Sequence, residues 1–232
     1  MTTHMHISHA DKLVAGSANY GPYAATLDGR RGIEMKPMVP HSFGAPITAD
    51  ANGYVASQNL TALGVFSSSV TVAAALAAAA LAGVADVARN VVAAWTGTAT
   101  MTVTGLDAYG ATVVESSGSG TSMTGKKAFK SITNIEVSGD VTSLTVGTGD
   151  VLGLPFALAN LEDLLAANVD GSVEDAAPVV ADTTDPATAT DGDCRGTVDF
   201  TQAQNGTRRC AVLFKVDHSG KVAAFGVDQF SG

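Results

Sequence analysis

Catalysis and metal binding need nucleophiles, bases or ligands at fixed spacing, and this sequence of 232 residues offers few candidates. His4, His6 and His9 alternate near the start, close enough to share one divalent ion. No Cys or further His stands near them to complete four ligands, so they read as part of a terminal segment. His41 and His218 are isolated. Asp182, Asp185, Asp191 and Asp193 present oxygens of the kind calcium accepts, but without the alternation about a central glycine that a calcium loop requires; they read as a solvated acidic face. Gly118-Ser119-Gly120 does not complete a dinucleotide fingerprint. Gly125-Lys126-Lys127 lacks the upstream Gly and the downstream Ser or Thr of a phosphate loop. Both read as connections between strands. No Gly-x-Ser-x-Gly elbow leads from a strand into a helix. A single tryptophan, Trp95, supplies little of the aromatic platform that usually accompanies paired carboxylates in glycoside cleavage. The expectation is a non-enzyme with no catalytic residue, no metal and no cofactor.

Composition narrows the classes further. The chain is 46% hydrophobic and 15% charged, too apolar for a disordered protein, and its formal net charge is -9. Direct binding to nucleic acid is not expected, because that mode needs cations to displace counterions from phosphates. The acidity is concentrated between Glu162 and Asp193, a stretch with no basic residue. No secretory signal is read at the start, and the uncharged run from Leu60 to Ala85 is too rich in Ala, Ser, Thr and Gly to be expected to span a membrane. Cys194 and Cys210 flank Asn205-Gly206, a favoured hairpin turn. Pairing Gly196 to Thr201 with Thr207 to Val216 about that turn separates the thiols by about 23 Å along the ladder, so both are expected to be reduced.

The elements that would hold any site are strands. Ala99, Met101 and Val103 alternate with threonines, giving one apolar and one polar face. Further strands are expected over Ala111 to Ser116, Ala128 to Ser138 and Ser143 to Val146, with breaks at Ser117 to Gly120, Gly139-Asp140 and Gly147 to Gly149. Leu158 to Ala167 reads as helix, and a short run from Val222 to Phe230 closes the chain. Val70 to Ala82 is helical by alanine propensity, but a hairpin with a small-residue face fits as well. Residues 1–60 are studded with turn formers and scattered apolar residues, which describes an extended arm that gains order on another surface, its own globular part or a partner. The expected fold is all-β: an antiparallel β-sandwich over residues 61–232, immunoglobulin-like or jelly-roll, with an acidic loop region around 162–193 and an N-terminal arm.

Several short motifs in this β region go together. They are Arg89-Asn90-Val91, the Thr-Gly-x-Asp-x-x-Gly turn at Thr104 to Gly110, Val114-Glu115-Ser116, Gly125-Lys126-Lys127-Ala128-Phe129-Lys130 and Gly153-Leu154-Pro155. With Gly192 to Thr197 and Asn205-Gly206-Thr207, they make the chain resemble virion structural proteins of tailed bacteriophages, in particular head proteins of the decoration or cement kind. The resemblance implies a protein made in the host cytoplasm that sits on the capsid surface of the virion. There it would bind the major capsid protein as a homo-oligomer, dimer or trimer, and hold the shell together. It also implies that Val84 to Ala94 is strand. In that role Arg30, Arg31, Phe43 and Tyr54 are candidate contacts to capsid or a neighbouring subunit. A tail, fibre or adaptor component, or a carbohydrate-binding β domain, is the alternative.

Overall fold

The computed structural model describes residues 36–60, 65–67, 84–217 and 224–230. Val70 to Ala82, whose reading stayed open between helix and hairpin, lies outside them, as do His4, His6, His9, Arg30 and Arg31. The described chain is built almost entirely of antiparallel strands, as its alternating sequence and frequent turn signals predict. They are β1 (Met38–Gly44), β2 (Val55–Leu60), β3 (Val65–Ser67), β4 (Val84–Ala99), β5 (Met101–Leu106), β6 (Thr112–Ser116) and β7 (Gly120–Thr124). After them come β8 (Phe129–Val137), β9 (Val141–Gly153), β10 (Leu164–Val169), β11 (Ser172–Glu174), β12 (Ala176–Val179), β13 (Thr197–Phe200) and β14 (Cys210–Lys215).

These strands form two sheets in a sandwich-like arrangement. The larger follows the order β12-β13-β9-β4-β8-β5-β6 and curls, with β2 added on β9, β3 on β8 and β7 on β4. The smaller follows β1-β14-β10-β11. The alternation around Ala99, Met101 and Val103 puts all three in the core, together with Val91, Trp95, Phe129, Ile135 and Leu144. A second core lies between the sheets. The inward residues of the small sheet, Phe43, Ala167, Val169, Val212 and Phe214, meet Leu152, Leu154, Leu158, Val198 and Phe200 there. β9 serves both cores, giving Val146 to the first and Leu152 to the second.

Val84 to Ala94 is strand, as the resemblance implied, within the sixteen residues of β4. Three other expectations are corrected. Leu158 to Ala167 is not a helix: a single 3-10 turn at Leu161–Asp163 leads directly into β10, where burying Ala167 and Val169 against β14 outweighs the helical propensity of the alanines. Asn205-Gly206 does not close a hairpin, because β13 belongs to the large sheet and β14 to the small one. The Asn205 side chain instead accepts the Thr207 and Arg208 N–H groups, an Asx turn, while the Gly206 N–H donates to the Pro46 carbonyl. The thiols of Cys194 and Cys210 are free and buried, although the hairpin from which their separation was argued does not exist. Finally, Gly147 to Gly149 interrupts nothing. β9 runs straight through it, and a Cβ at Gly147 would overlap the Asp50 carbonyl, so glycine is there to let a second backbone approach.

The segment read as an arm is part of the folded unit from residue 36 onward. β1 is an edge strand of the small sheet, β2 pairs with β9, and the Tyr54 N–H donates to the Val146 carbonyl. Val222 to Phe230 is described from residue 224, and Phe230 caps an edge there without joining a ladder: its carbonyl accepts the Val114 N–H.

Phe214 is fully buried at the centre of the second core. Phe214→Ala is expected to lower stability by about 3–5 kcal/mol in urea denaturation, with the fold retained.

Candidate functional site

The most chemically distinctive place in the molecule is a group of charged side chains withdrawn from water. Asp107, Glu115, Lys127, Asp193 and Arg195 are all buried, Lys127 completely. Burying a charge costs several kcal/mol unless hydrogen bonds and an opposite charge replace the lost water. Local chain geometry supplies most of that replacement.

Asp107 lies in the turn between β5 and β6. One oxygen accepts the N–H groups of Tyr109 (2.8 Å) and Ala111 (2.9 Å), which tightens the turn, and Gly110 completes it at φ +83°. The other oxygen accepts from the Arg195 guanidinium at 2.7 Å. The exposed Tyr109 ring lies 4.9 Å from that guanidinium, and its hydroxyl donates to the Pro155 carbonyl at 2.6 Å. Asp193 repeats the device, accepting the Arg195 N–H with one oxygen and the Ala128 N–H with the other.

Glu115, on β6, reaches the turn between β7 and β8 and accepts the N–H groups of Lys126 (2.6 Å) and Lys127 (3.2 Å). Gly125 makes room for this: a Cβ there would stand 2.9 Å from the Glu115 carboxylate and 2.8 Å from the Val91 carbonyl. The Lys127 Nζ donates to the Thr188 carbonyl at 2.7 Å and lies 5.9 Å from the centre of the Phe230 ring. Asn90 extends the same construction from β4, donating to the Gly125 carbonyl and accepting the Val151 N–H.

The electrostatics follow from burial. It pushes the Glu115 carboxyl up to about 7 against the opposing pull of the two N–H donors and of Lys127. It also raises Asp193 and lowers Lys127, the latter partly restored by Glu115 and Asp193. The Cys194 thiol is pushed up to about 12 by burial and by the neighbouring Asp193 charge, so it stays protonated and unreactive at neutral pH. For Arg195, burial works against the charge, but Asp193, Cys194 and Asp107 outweigh it and hold the guanidinium above its ordinary value.

Chemically, this arrangement fastens. The Asp107, Glu115 and Asp193 oxygens are taken up by backbone N–H groups and by Arg195, and the lysine amine is spent on a carbonyl. The result pins the loop carrying Thr188 to Arg195 onto the large sheet, where Ala189 and Phe230 also cover the free edge of β6. No group of three His, Cys, Asp or Glu among the described residues is placed to hold a metal ion.

The residues proposed from sequence do not gather at this place. Phe43 packs edge-on to Phe200 with ring centroids 5.9 Å apart, and Tyr54 is buried in the first core; burial also raises its phenol. Both are therefore core residues of this chain rather than exposed anchors. Arg30 and Arg31 lie outside the described residues. The acidic loop is also less solvated than its composition predicted. Asp182 accepts the Thr184 and Gly192 N–H groups, Asp191 accepts the Thr188 N–H, and Asp193 is buried. A signal for part of this is the Asp in the turn at Thr104 to Gly110 and the Asp of Gly192-Asp193, since an Asp in a turn commonly accepts the backbone N–H two residues on.

No protein-family model matches the chain, and no curated protein or solved structure compared with it matches either.

Two outcomes follow from the buried charges. Lys127→Met leaves the Thr188 carbonyl without its donor and removes the cation facing Glu115 and Asp193, and is expected to cost about 3–5 kcal/mol in urea denaturation. Between the ordinary carboxyl pKa and about 7, folded Glu115 holds a proton that the unfolded chain has released. Its contribution to stability therefore falls as pH rises through that window. In a pH series of denaturation curves from about pH 5 to about pH 8, Glu115→Gln is expected to flatten this decline.

Proposed function

We propose that this chain is a structural virion protein that decorates and stabilises the head shell of a tailed bacteriophage, without catalysing a reaction. One observation carries the reading. Most of the motifs behind the resemblance to head decoration proteins contribute a residue to the buried cluster: Asp107, Glu115, Gly125 to Ala128, and Asp193 with Arg195, joined to Asn90. The resemblance therefore rests on residues that determine the β unit rather than on scattered surface positions. Physically, a rigid, interlocked domain with exposed edges suits the role, because a protein that bridges shell subunits must add interface without deforming under load. In this reading the major capsid protein is the partner, and the acidic loop region faces solvent.

A second reading, carbohydrate binding, is favoured by the exposed aromatic pair Tyr109 and Phe225, whose ring centroids are 6.4 Å apart. The rings are inclined at 84° and so form no flat platform for a sugar face, which ranks this reading below the first.

Co-sedimentation of the purified protein with undecorated phage heads tests the proposal. Saturation at hundreds of copies per head is the expected result; about a dozen copies would reassign the chain to a tail or adaptor position, and no binding would overturn the virion reading. For the arm, the informative truncation removes residues 1–35 and spares β1 and β2, since cutting at residue 60 would strip a strand from each sheet. The shortened protein is expected to fold and to lose affinity for heads.

A further inference from the structure

A strand that ends a sheet presents unpaired N–H and C=O groups, a template on which another chain can add a strand. The two sheets end on β12 and β6, and on β1 and β11. β11 is only three residues long, and the outward N–H groups of β6, at Val114 and Ser116, donate to the Phe230 and Ala189 carbonyls. β1 and β12 have neither protection. Met38 to Gly44 carries no charged residue, nor does the run from Ala176 to Ala181 that contains β12. Met38 is 65% exposed and Val179 54%. Short, uncharged, largely apolar strands stack edge to edge between chains unless proline interrupts them. Each of these two holds one proline, Pro40 and Pro178.

The ladders fix which way each proline nitrogen points. In an antiparallel pair the N–H and C=O groups of alternate residues face the partner, and those of the rest face away. The Val216 N–H donates to the Pro37 carbonyl at 3.0 Å, and these two residues continue the register that sets Met38 opposite Lys215. Val39 and His41 therefore face β14 with their backbone groups, and Pro40 turns its nitrogen to the open edge. In the same way the Thr201 N–H donates to the Asp175 carbonyl at 3.3 Å, continuing the register that sets Ala176 opposite Phe200. Ala177 and Val179 face β13, and the Pro178 nitrogen also points outward. A proline one position earlier or later in either strand would cost a ladder bond. At these two positions it costs none, and it leaves the middle of the edge with no donor and with a ring where an incoming carbonyl would lie. The register shift between Ser42 and Gly44 adds a bend at the far end of β1.

We infer that Pro40 and Pro178 close the two sheets against growth by strand addition from other chains. The two sites act alike although they lie on different sheets and far apart in sequence, and in both the proline occupies the one phase of the strand that the fold tolerates. This closure is independent of what the protein binds, and its test needs no phage heads.

Pro40→Val and Pro178→Val each return an N–H to the edge together with a strand-forming side chain. Sedimentation velocity and thioflavin T fluorescence of the full chain, followed over several days at physiological salt, compare the wild type with the two single variants and the double. The wild type is expected to keep its starting sedimentation profile. The double variant is expected to lose its starting boundary to fast-sedimenting species that bind the dye, and each single variant to do so more slowly. Adding Val179→Lys to Pro178→Val, or Met38→Glu to Pro40→Val, places a charge at an exposed edge position and is expected to abolish the growth. Ala177→Pro, whose nitrogen faces β13, is expected to lower the melting temperature far more than Pro178→Val does. Proline variants that keep the wild-type profile overturn the inference. So does growth that the added charges leave unchanged, or that simply follows a lowered melting temperature, because it then arises from unfolded chains rather than from sheet edges.

Discussion

A charge taken out of water survives only if the chain itself answers it, and here the answering groups come from segments far apart in sequence. Arg195 meets Asp107 across 88 positions, and Ala128 gives its N–H to Asp193 across 65. The two pairs are satisfied together only when the β5–β6 turn, the β7–β8 turn and the loop before β13 are all in place. The hydrophobic cores would tolerate many small displacements at modest cost. The buried ions do not, since losing one partner leaves a naked charge. The cluster thus acts as the constraint on which the position of the long loop, the covering of the β6 edge and the seating of the chain's end all depend.

The same logic explains why a protein with so few charges places several of them inside. Loops of this length, without regular structure, are uncommon in compact domains unless something ties them down. The loop from Val180 to Gly196 is tied by its own carboxylates. Asp182, Asp191 and Asp193 each accept backbone N–H groups, and Asp182 is held below the ordinary carboxyl range chiefly by its bond from Thr184. Acidic composition here serves internal hydrogen bonding before it serves solubility.

Much of the fold could be read from sequence where a single strand carried its own pattern. Met101 and Val103 alternate with threonines, and that local record fixes which face is buried. Pairing was less legible, because it is decided by partners the local sequence does not name. Asn205-Gly206 is a hairpin signal whose flanking strands went to different sheets, and Leu158 to Ala167 is a helical composition claimed by the ladder beside β14. Of the candidate site, the motif residues were legible as motifs but not as a cluster. Glu115 and Lys127 look like surface charges until β6 and the β7–β8 turn are set side by side. Phe43 and Tyr54 are obscured for the converse reason: β1 and β2 lie in a turn-rich segment without sustained alternation, and pairing with β14 and β9 places both side chains in the chain's own cores.

β1 opens the described chain and β14 nearly closes it, yet the two are neighbours, and β14 is also the strand on which β10 depends. On a ribosome adding roughly 5–20 residues per second, β1 waits on the order of ten to thirty seconds for its partner to be made. The large sheet has most of its strands long before that. The small sheet is therefore the last sheet of the described chain to form, and a chain cut short before Cys210 lacks the strand on which both β1 and β10 pair.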